Sequence, residues 1–211
     1  MIARMSKKIS SYFIMQKIIS EEDREVYEYS FEILLSILMS IIAIAVIAIV
    51  SKTVLYTTIY FAGFIPLRSV AGGFHAKSHA RCFLILIVTY PLFLIISSLM
   101  PQEYITPIII PSIIISVILV LLLAPSEEKN RPFSDADRVR LKSKSRFLIS
   151  IYTISVGAIL VIFNDKTIAL SMTLGVLTVG LSLLANYVKQ VKQNSISKAV
   201  SREEVLQNEE V

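Results

Sequence analysis

Charged residues are scarce in this 211-residue chain. They make up 18% of the sequence, whereas hydrophobic residues make up 55%. Soluble domains of this size contain about 25% charged residues and about 45–50% apolar residues. Because the apolar residues here also fall into long runs, the composition excludes an ordinary soluble domain and indicates an integral membrane protein.

Cysteine is almost absent, since Cys82 is the only one in the chain. A single cysteine excludes an internal disulfide, so its thiol is free, metal-bound, buried or reactive. A secretory signal is also lacking: the first apolar run begins near Ile33, behind a charged leader, and no small-residue cleavage site follows it. We therefore expect the N-terminal segment to be retained.

Six apolar runs contain no Asp, Glu, Lys or Arg. A helix that crosses the hydrocarbon needs about 20 apolar residues, with a range of about 17–25. The second run is short and ends in Gly63 and Pro66, so we expect a tilted full span and keep a broken helix as the alternative. The lack of intramembrane charges weakens the alternative of a membrane transporter, and a non-enzymatic membrane scaffold stays open as a further alternative. The runs cover residues 33–50, 54–66, 83–99, 105–124, 147–163 and 168–188.

Lys and Arg are unevenly distributed among the connections between these runs. Nineteen of the 21 lie in the leader, in segments 67–82 and 125–146, and in the tail, whereas the other three connections hold only Lys52 and Lys166. Basic residues accumulate on the cytoplasmic side of membrane proteins. The sequence therefore predicts an all-α, polytopic membrane protein with six transmembrane helices and both termini in the cytoplasm.

The predicted organisation has three parts. Residues 1–30 form a cytoplasmic leader, residues 31–190 a single transmembrane catalytic domain, and residues 191–211 a polar cytoplasmic tail that we expect to be frayed. The leader begins as an amphipathic helix lying at the membrane interface. A second short helix is predicted after Ser20, its N-cap. The apolar positions of the leader are Ile2, Met5, Ile9, Phe13 and Ile18.

The stretch RSVAGGFHAKSHARC, residues 68–82, holds both histidines and the only cysteine of the chain. On a helix, His75, His79 and Cys82 would share one face. They could bind zinc, which accepts His and Cys ligands, in a zinc-dependent membrane protease. They could equally be structural, because a lone thiol at the start of a membrane helix is usually an apolar filler.

Nucleophilic catalysis is the third interpretation of the same stretch. A nearby cation or a helix N-terminus lowers the pKa of a cysteine thiol from about 8.5, and Cys82 follows Arg81 directly at the start of an apolar run. Gly72 and Gly73 free the backbone just before His75, so that backbone amides can form an oxyanion-binding turn. The alternative for this Gly-Gly pair is a simple turn at the membrane exit.

The spacing of these residues resembles the signature of the accessory gene regulator B family, membrane cysteine peptidases of bacterial quorum sensing. That signature is an Arg, then Gly-Gly-x-His, then a Cys seven residues after the His; Arg68, Gly72, Gly73, His75 and Cys82 match it. The basic segment APSEEKNRPFSDADRVRLKSKSR is similar to a second family feature, although Arg131 stands where Lys is common. The similarity extends over residues from about 30 to 188.

The resemblance implies a reaction at the cell membrane of a bacterium. By resemblance, Cys82 is the nucleophile and His75 its base, while Arg68, Gly72 and Gly73 support the site geometry. The substrate would be a propeptide of the accessory gene regulator D type, cleaved near its C-terminal end and released as a cyclic thiolactone or lactone. The family also implies a homodimer in contact with membrane lipid, with no metal, no other cofactor and no nucleic acid. His79 lies outside the signature.

The basic segment 125–146 has three interpretations. It determines topology through its positive charge, it binds anionic lipid, or it receives the acidic end that the family's substrates carry. We favour topology as its main role and expect substrate binding as a second one. The cations expected to contact substrate are Lys129, Arg131, Arg138, Arg140 and Lys142.

Overall fold

The computed structural model describes residues 2–72, 90–95, 99–126 and 134–209, and every element of regular structure in these ranges is a helix. This confirms the predicted all-α class. The helices are α1 (Ile2–Met15), α2 (Arg24–Val50), α3 (Val54–Ala71), α4 (Gln102–Leu123), α5 (Asp135–Ala158), which continues as a π-helical turn (Ile159–Phe163), and α6 (Lys166–Glu209).

Five of these helices, α2 to α6, are long and apolar enough to cross a membrane. They coincide with five of the six predicted runs and confirm a multi-pass membrane protein. The remaining run, residues 83–99, lies mostly outside the described residues, although residues 90–95 are helical. Contacts divide the chain into two compact units: residues 1–54 with 75–99, and residues 55–74 with 100–211.

In the first unit the leader helix packs against the first span. The rings of Phe13 and Phe31 stack with centroids 5.6 Å apart. Helix α1 ends at Met15 because Lys17 takes a left-handed conformation with φ 57°, so Ile18, which was predicted to belong to the amphipathic helix, lies beyond its end. Its place at the membrane interface stays a prediction.

The separate short helix predicted after Ser20 is wrong. The Ser20 hydroxyl does accept a hydrogen bond from the Asp23 amide at 3.3 Å, as a cap would. However, it closes only a turn, and Arg24 then begins α2, which runs unbroken to Val50. The reason is that no Gly or Pro separates this charged segment from the apolar run that follows it.

Glycines allow the closest helix contacts in the second unit. A Cβ on Gly175 of α6 would collide with the carbonyl oxygen of Tyr60 on α3, and a Cβ on Gly63 would lie 3.1 Å from the carbonyl oxygen of Met172. Small residues at such positions let backbones approach in membrane bundles. Gly175 therefore lets α3 and α6 approach closely, whereas Gly157 faces open space, since a Cβ added there would meet nothing within 4 Å.

Helix α3 is continuous in spite of Pro66. Proline has no N–H to donate to the carbonyl four residues earlier, which here belongs to Ala62. The hydroxyl of Tyr152 on α5 donates to that carbonyl instead, at 2.8 Å. A neighbouring side chain thus satisfies the freed backbone group, as a membrane interior requires. The full span is therefore supported over the broken helix for this 18-residue segment.

The helices of the second unit run in the relative directions that alternating spans require. The Ser126 amide, just after α4, donates to the Ala71 carbonyl at the end of α3, at 3.0 Å. At the starts of α4 and α6, Lys166 Nζ lies 3.5 Å from the Gln102 carbonyl. Helices α3, α4 and α6 are therefore parallel. Because α4 has 22 residues and is about 33 Å long, Gly72 and Gln102 lie at opposite ends of this unit.

The expectation of a frayed tail is wrong for residues 191–209. Helix α6 continues through them to Glu209. The polar composition suggested disorder, but no Gly or Pro follows Gly180. Such a segment can therefore extend a helix that the membrane span has already nucleated, which avoids the cost of a new nucleus.

Candidate functional site

The predicted site residues divide into those that the structure describes and those that it does not. Arg68, Gly72, Arg138, Arg140 and Lys142 are described. The proposed catalytic pair and the remaining predicted residues lie outside the described residues, and they are Gly73, His75, His79, Cys82, Lys129 and Arg131.

Gly72 ends α3 in a left-handed turn. Its φ is +73°, and its amide donates to the Arg68 carbonyl at 3.1 Å. This is the arrangement in which glycine ends helices, because only glycine adopts it without steric cost. A Cβ on Gly72 would also lie 2.7 Å from the Ser126 carbonyl oxygen. Since the Gly72 amide is already bonded to the Arg68 carbonyl, this residue shapes the turn, and its amide is not available to an oxyanion.

Arg68 connects this turn to α6. Its Nη1 donates to the Gly72 carbonyl at 2.6 Å and to the Ser182 hydroxyl at 2.7 Å. The neighbouring Leu67 and Ala71 are fully buried. A cation near a helix C-terminus also interacts favourably with the carbonyls exposed there. The role of Arg68 in the described structure is therefore to hold the end of α3 against α6.

A second hydrogen-bonded connection reaches the same turn from α6. Asn186 Nδ2 donates to the Ser126 hydroxyl at 2.5 Å, and the Ser126 amide donates to the Ala71 carbonyl. Asn186 is buried, with 6% exposure. We refer to these five side chains and turn residues as the Arg68 cluster; they are Arg68, Gly72, Ser126, Ser182 and Asn186.

Sequence reasoning missed Ser182 and Asn186. Both were counted as part of the apolar run 168–188. Their spacing of four residues places them on one face of α6. An amide and a hydroxyl at this spacing inside a predicted membrane span are the signal that could have singled them out, because polar groups in such spans face other helices.

A basic cavity of about 310 Å³ lies next to the Arg68 cluster. Ser126 belongs to both. Arg138 and Lys142 of α5 line the cavity, whereas Arg140 does not, because it lies between them on another face of the helix. The remaining lining residues are Leu122, Leu123, Ala124, Pro125, Leu183, Tyr187 and Gln190.

The start of α5 sets the position of the two cavity cations. The Ser134 hydroxyl accepts from the Asp137 amide at 3.2 Å and caps the helix. Asp135 and Asp137 lie in the first turn, where a carboxylate interacts favourably with the helix N-terminus. Arg138 and Lys142 follow one turn apart on one face. A cavity lined by two cations and three leucines can bind an anionic group that carries an apolar body.

The zinc alternative depends on residues that the structure does not describe. Within the described ranges, no group of three or more His, Cys, Asp and Glu side chains could hold a metal ion. His75, His79 and Cys82 all lie outside those ranges.

Comparison with known proteins gives consistent results. The sequence model of the family described as Accessory gene regulator B matches residues 6–184. A protein named "Putative AgrB-like protein" from Clostridium perfringens strain SM101 is 29% identical over 188 residues, covering 83% of this chain and 88% of the relative. The "Putative AgrB-like protein 2" of C. perfringens strain 13 is 28% identical with the same coverage. No solved structure matches.

Proposed function

Because this chain belongs to the accessory gene regulator B family, we propose that it is a membrane-embedded cysteine endopeptidase that processes a quorum-sensing propeptide of the accessory gene regulator D type. One observation carries the proposal. The glycine turn that ends α3 is held by Arg68, and the motif residue His75 follows three positions after Gly72. The first part of the family motif, from Arg68 to Gly72, is therefore held in place by the hydrogen bonds of Arg68 to Gly72 and Ser182.

The proposed first step is acyl transfer to the enzyme. His75 removes the proton of the Cys82 thiol, and the thiolate attacks a carbonyl carbon near the C-terminal end of the propeptide. A C–S bond forms, the C–N bond breaks, and His75 returns its proton to the leaving amine. The products are a free C-terminal peptide and a thioester between the propeptide and Cys82.

The proposed second step closes a ring. A Cys or Ser side chain of the bound propeptide attacks the thioester, its proton passes to His75, and the Cys82 thiolate leaves and is protonated again. The product is a cyclic thiolactone or lactone. If water attacked the thioester instead, the product would be a linear acid. Ring closure therefore requires a site that is shielded from water, as the end of a membrane helix can be.

The dyad can be tested with three single substitutions in purified protein. We expect Cys82→Ser and His75→Ala to abolish cleavage of a cognate propeptide, because the nucleophile and its base act as one unit. His79→Ala is the matched control, since it removes the imidazole outside the family signature. Mass spectrometry of wild-type protein should detect the propeptide bound to Cys82 as a thioester.

Two results would contradict this assignment. Full activity of Cys82→Ser would exclude a cysteine nucleophile. Loss of activity in His79→Ala together with inhibition by a chelator would favour the zinc-dependent protease.

The basic cavity supports a second part of the proposal: it receives the acidic end of the propeptide. Arg138 and Lys142 line it, and Ser126 links it to the turn that leads to His75. Contacts of this kind are screened by salt over a Debye length of about 8 Å at physiological ionic strength. Substrate affinity should therefore fall as salt rises.

Neutralising the cavity tests this binding role. Arg138→Gln with Lys142→Gln should raise the substrate KM by about tenfold at low salt, corresponding to about 1.4 kcal/mol, and leave kcat nearly unchanged. KM should also become less sensitive to salt. Arg140→Gln, which removes a positive charge outside the cavity, should have a much smaller effect. If both variants and the wild type had the same KM at every salt concentration, substrate binding by the cavity would be excluded. The remaining roles of segment 125–146 would be to determine topology or to bind lipid.

A further inference from the structure

We propose that the Ser126 hydroxyl is a third anion-binding group of the basic cavity and that Asn186 of α6 positions it. With Arg138 and Lys142, this hydroxyl makes the cavity selective for a carboxylate over the neutral amide of the same shape. The inference rests on the proposed role of the cavity in binding the acidic end of the propeptide, and it adds to that role two residues outside the family signature. Ser126 contacts the ligand, whereas Asn186 acts only through Ser126.

The side chain of Ser126 is held by Asn186 in a way that leaves its proton to be donated. A serine hydroxyl has one donor and two acceptor lone pairs. The Asn186 nitrogen Nδ2 donates to the hydroxyl oxygen at 2.5 Å, so this contact uses a lone pair and not the proton. The Ser126 backbone is fixed as well, because its amide donates to the Ala71 carbonyl at 3.0 Å. Ser126 can therefore donate its proton to a group in the cavity that it lines.

Asn186 is placed to act on Ser126 and not on the ligand. It is buried, with 6% exposure, and it is not among the residues that line the cavity. Its neighbours Leu183, Tyr187 and Gln190 do line the cavity, on one face of α6. Burying an amide is costly unless it is hydrogen-bonded, and a hydroxyl that accepts a hydrogen bond becomes a stronger donor. The contact therefore both fixes and polarises the Ser126 hydroxyl.

The three donors of the cavity come from separate parts of the second unit. Ser126 follows α4, whereas Arg138 and Lys142 lie one turn apart on α5. An ionised carboxylate has two oxygens with about four lone-pair sites, so it can accept from all three donors together. Hydrogen bonds to an ionised group are about twice as strong as those between neutral groups. An amide offers one oxygen and turns its own N–H groups towards the cations, so this donor set distinguishes the two.

The size and lining of the cavity fit part of a peptide. Its volume of about 310 Å³ is near the lower end of the range for ligand pockets, about 300–1,000 Å³. The apolar part of the lining includes the buried Leu183 and the exposed Leu122, and Tyr187 lies beside them. The class of ligand that fits is therefore an acidic side chain next to an apolar one.

The test measures binding without turnover, in purified full-length protein that carries Cys82→Ser. The probe is a labelled peptide with the acidic C-terminal segment of the cognate propeptide, and its control has an amide in place of each acidic side chain. The acidic peptide should bind about tenfold more tightly. Ser126→Ala should raise the Kd of the acidic peptide about tenfold, and Asn186→Leu about threefold or more. The Kd of the amide peptide should change less than about twofold.

Matched variants separate this role from simple stabilisation. Ser126→Thr keeps the hydroxyl and should retain the preference for the acidic peptide. Ser171→Ala removes a half-buried serine of α6 whose hydroxyl donates to the Thr167 carbonyl, and it should bind both peptides as the background protein does. If Asn186→Leu does not fold in detergent, Asn186→Gln keeps the amide but moves it by one methylene, and it should show the same loss.

A double variant tests whether Asn186 acts through Ser126. Once the hydroxyl is absent, Asn186 has nothing to position. Asn186→Leu should therefore add little to the effect of Ser126→Ala on the Kd of the acidic peptide. Additive effects of the two substitutions would contradict the positioning role.

The remaining outcomes distinguish this inference from the proposed function. If the background protein bound the acidic and the amide peptide equally, both the binding role of the cavity and this inference would be wrong. If the preference required Arg138 and Lys142 but persisted in Ser126→Ala, only this inference would be wrong. Neither result bears on the proposed peptidase reaction, because binding is measured without the Cys82 thiol.

Discussion

At the scale of single residues, the structure explains why position 72 must be glycine, which the Gly-Gly motif alone does not. The Gly-Gly pair suggested a flexible turn or an oxyanion hole. In the fold, Gly72 has a left-handed backbone conformation and its amide is bonded to the Arg68 carbonyl. A Cβ in place of its Cα hydrogen would lie against the Ser126 carbonyl oxygen. Two independent reasons, conformation and space, therefore demand glycine at this position.

Replacing Gly72 with alanine should both destabilise the protein and impair it. A left-handed alanine costs about 1–2 kcal/mol, and its methyl group would press on the Ser126 carbonyl at 2.7 Å. We expect a lower thermal unfolding temperature in detergent and a reduced kcat. Gly157→Ala is the control: it adds the same methyl group in open space and should be neutral or slightly stabilising, because alanine favours helix. Equal effects of the two substitutions would contradict this account of Gly72.

At the scale of helices, the continuity of α3 depends on a neighbouring helix. Pro66 leaves the Ala62 carbonyl without an intrahelical donor, and Tyr152 of α5 supplies one. The proline alone predicted that the span could break. Whether it does depends on a side chain 90 residues away in sequence, and no local pattern contains that information.

A double-mutant cycle can measure this contact. Tyr152→Phe should destabilise the fold by about 1 kcal/mol, because the Ala62 carbonyl loses its donor. In a Pro66→Ala background the restored amide can bond to Ala62, so the same tyrosine substitution should cost clearly less. Tyr104→Phe, at a tyrosine with 59% exposure, serves as control. Unfolding in detergent gives the free energies, and an additive cycle would refute the contact.

At the scale of the whole molecule, relative helix directions agree with the charge distribution. Helices α3 and α4 end at the same side as the start of α5 and the second half of α6. These are the ends to which the sequence assigns 14 of its 21 Lys and Arg residues, in segments 67–82, 125–146 and the tail. The cytoplasm is therefore the predicted compartment for the Arg68 cluster and the basic cavity.

Cysteine labelling in intact cells tests this orientation. In a Cys82→Ser background, a single cysteine replaces either Lys52 or Ser195. A membrane-impermeant maleimide should label Lys52→Cys in intact cells and Ser195→Cys only after permeabilisation, since Lys and Arg mark the cytoplasmic side. Labelling of Ser195→Cys in intact cells would reverse the predicted topology and place the proposed site outside the cell.

The amino-acid sequence alone determined the membrane class and the positions of five spans, and its resemblance to the family led to the proposed catalytic pair. Composition and hydropathy are local quantities, so a run of apolar residues identifies a span without knowledge of its neighbours. The extension of α6 beyond residue 191 escaped this reasoning, because polar composition fits both a disordered tail and an exposed helix.

Only the tertiary structure decided which polar residues act together. Arg68 and Ser182 are 114 residues apart, and Ser126 and Asn186 are 60 apart. The packing of α3, α4 and α6 at one end of the second unit brings them together, and it places Arg138 and Lys142, but not Arg140, at the cavity. Hydrogen bonds and cavities depend on the spatial arrangement of whole helices, which the order of residues along one helix does not specify.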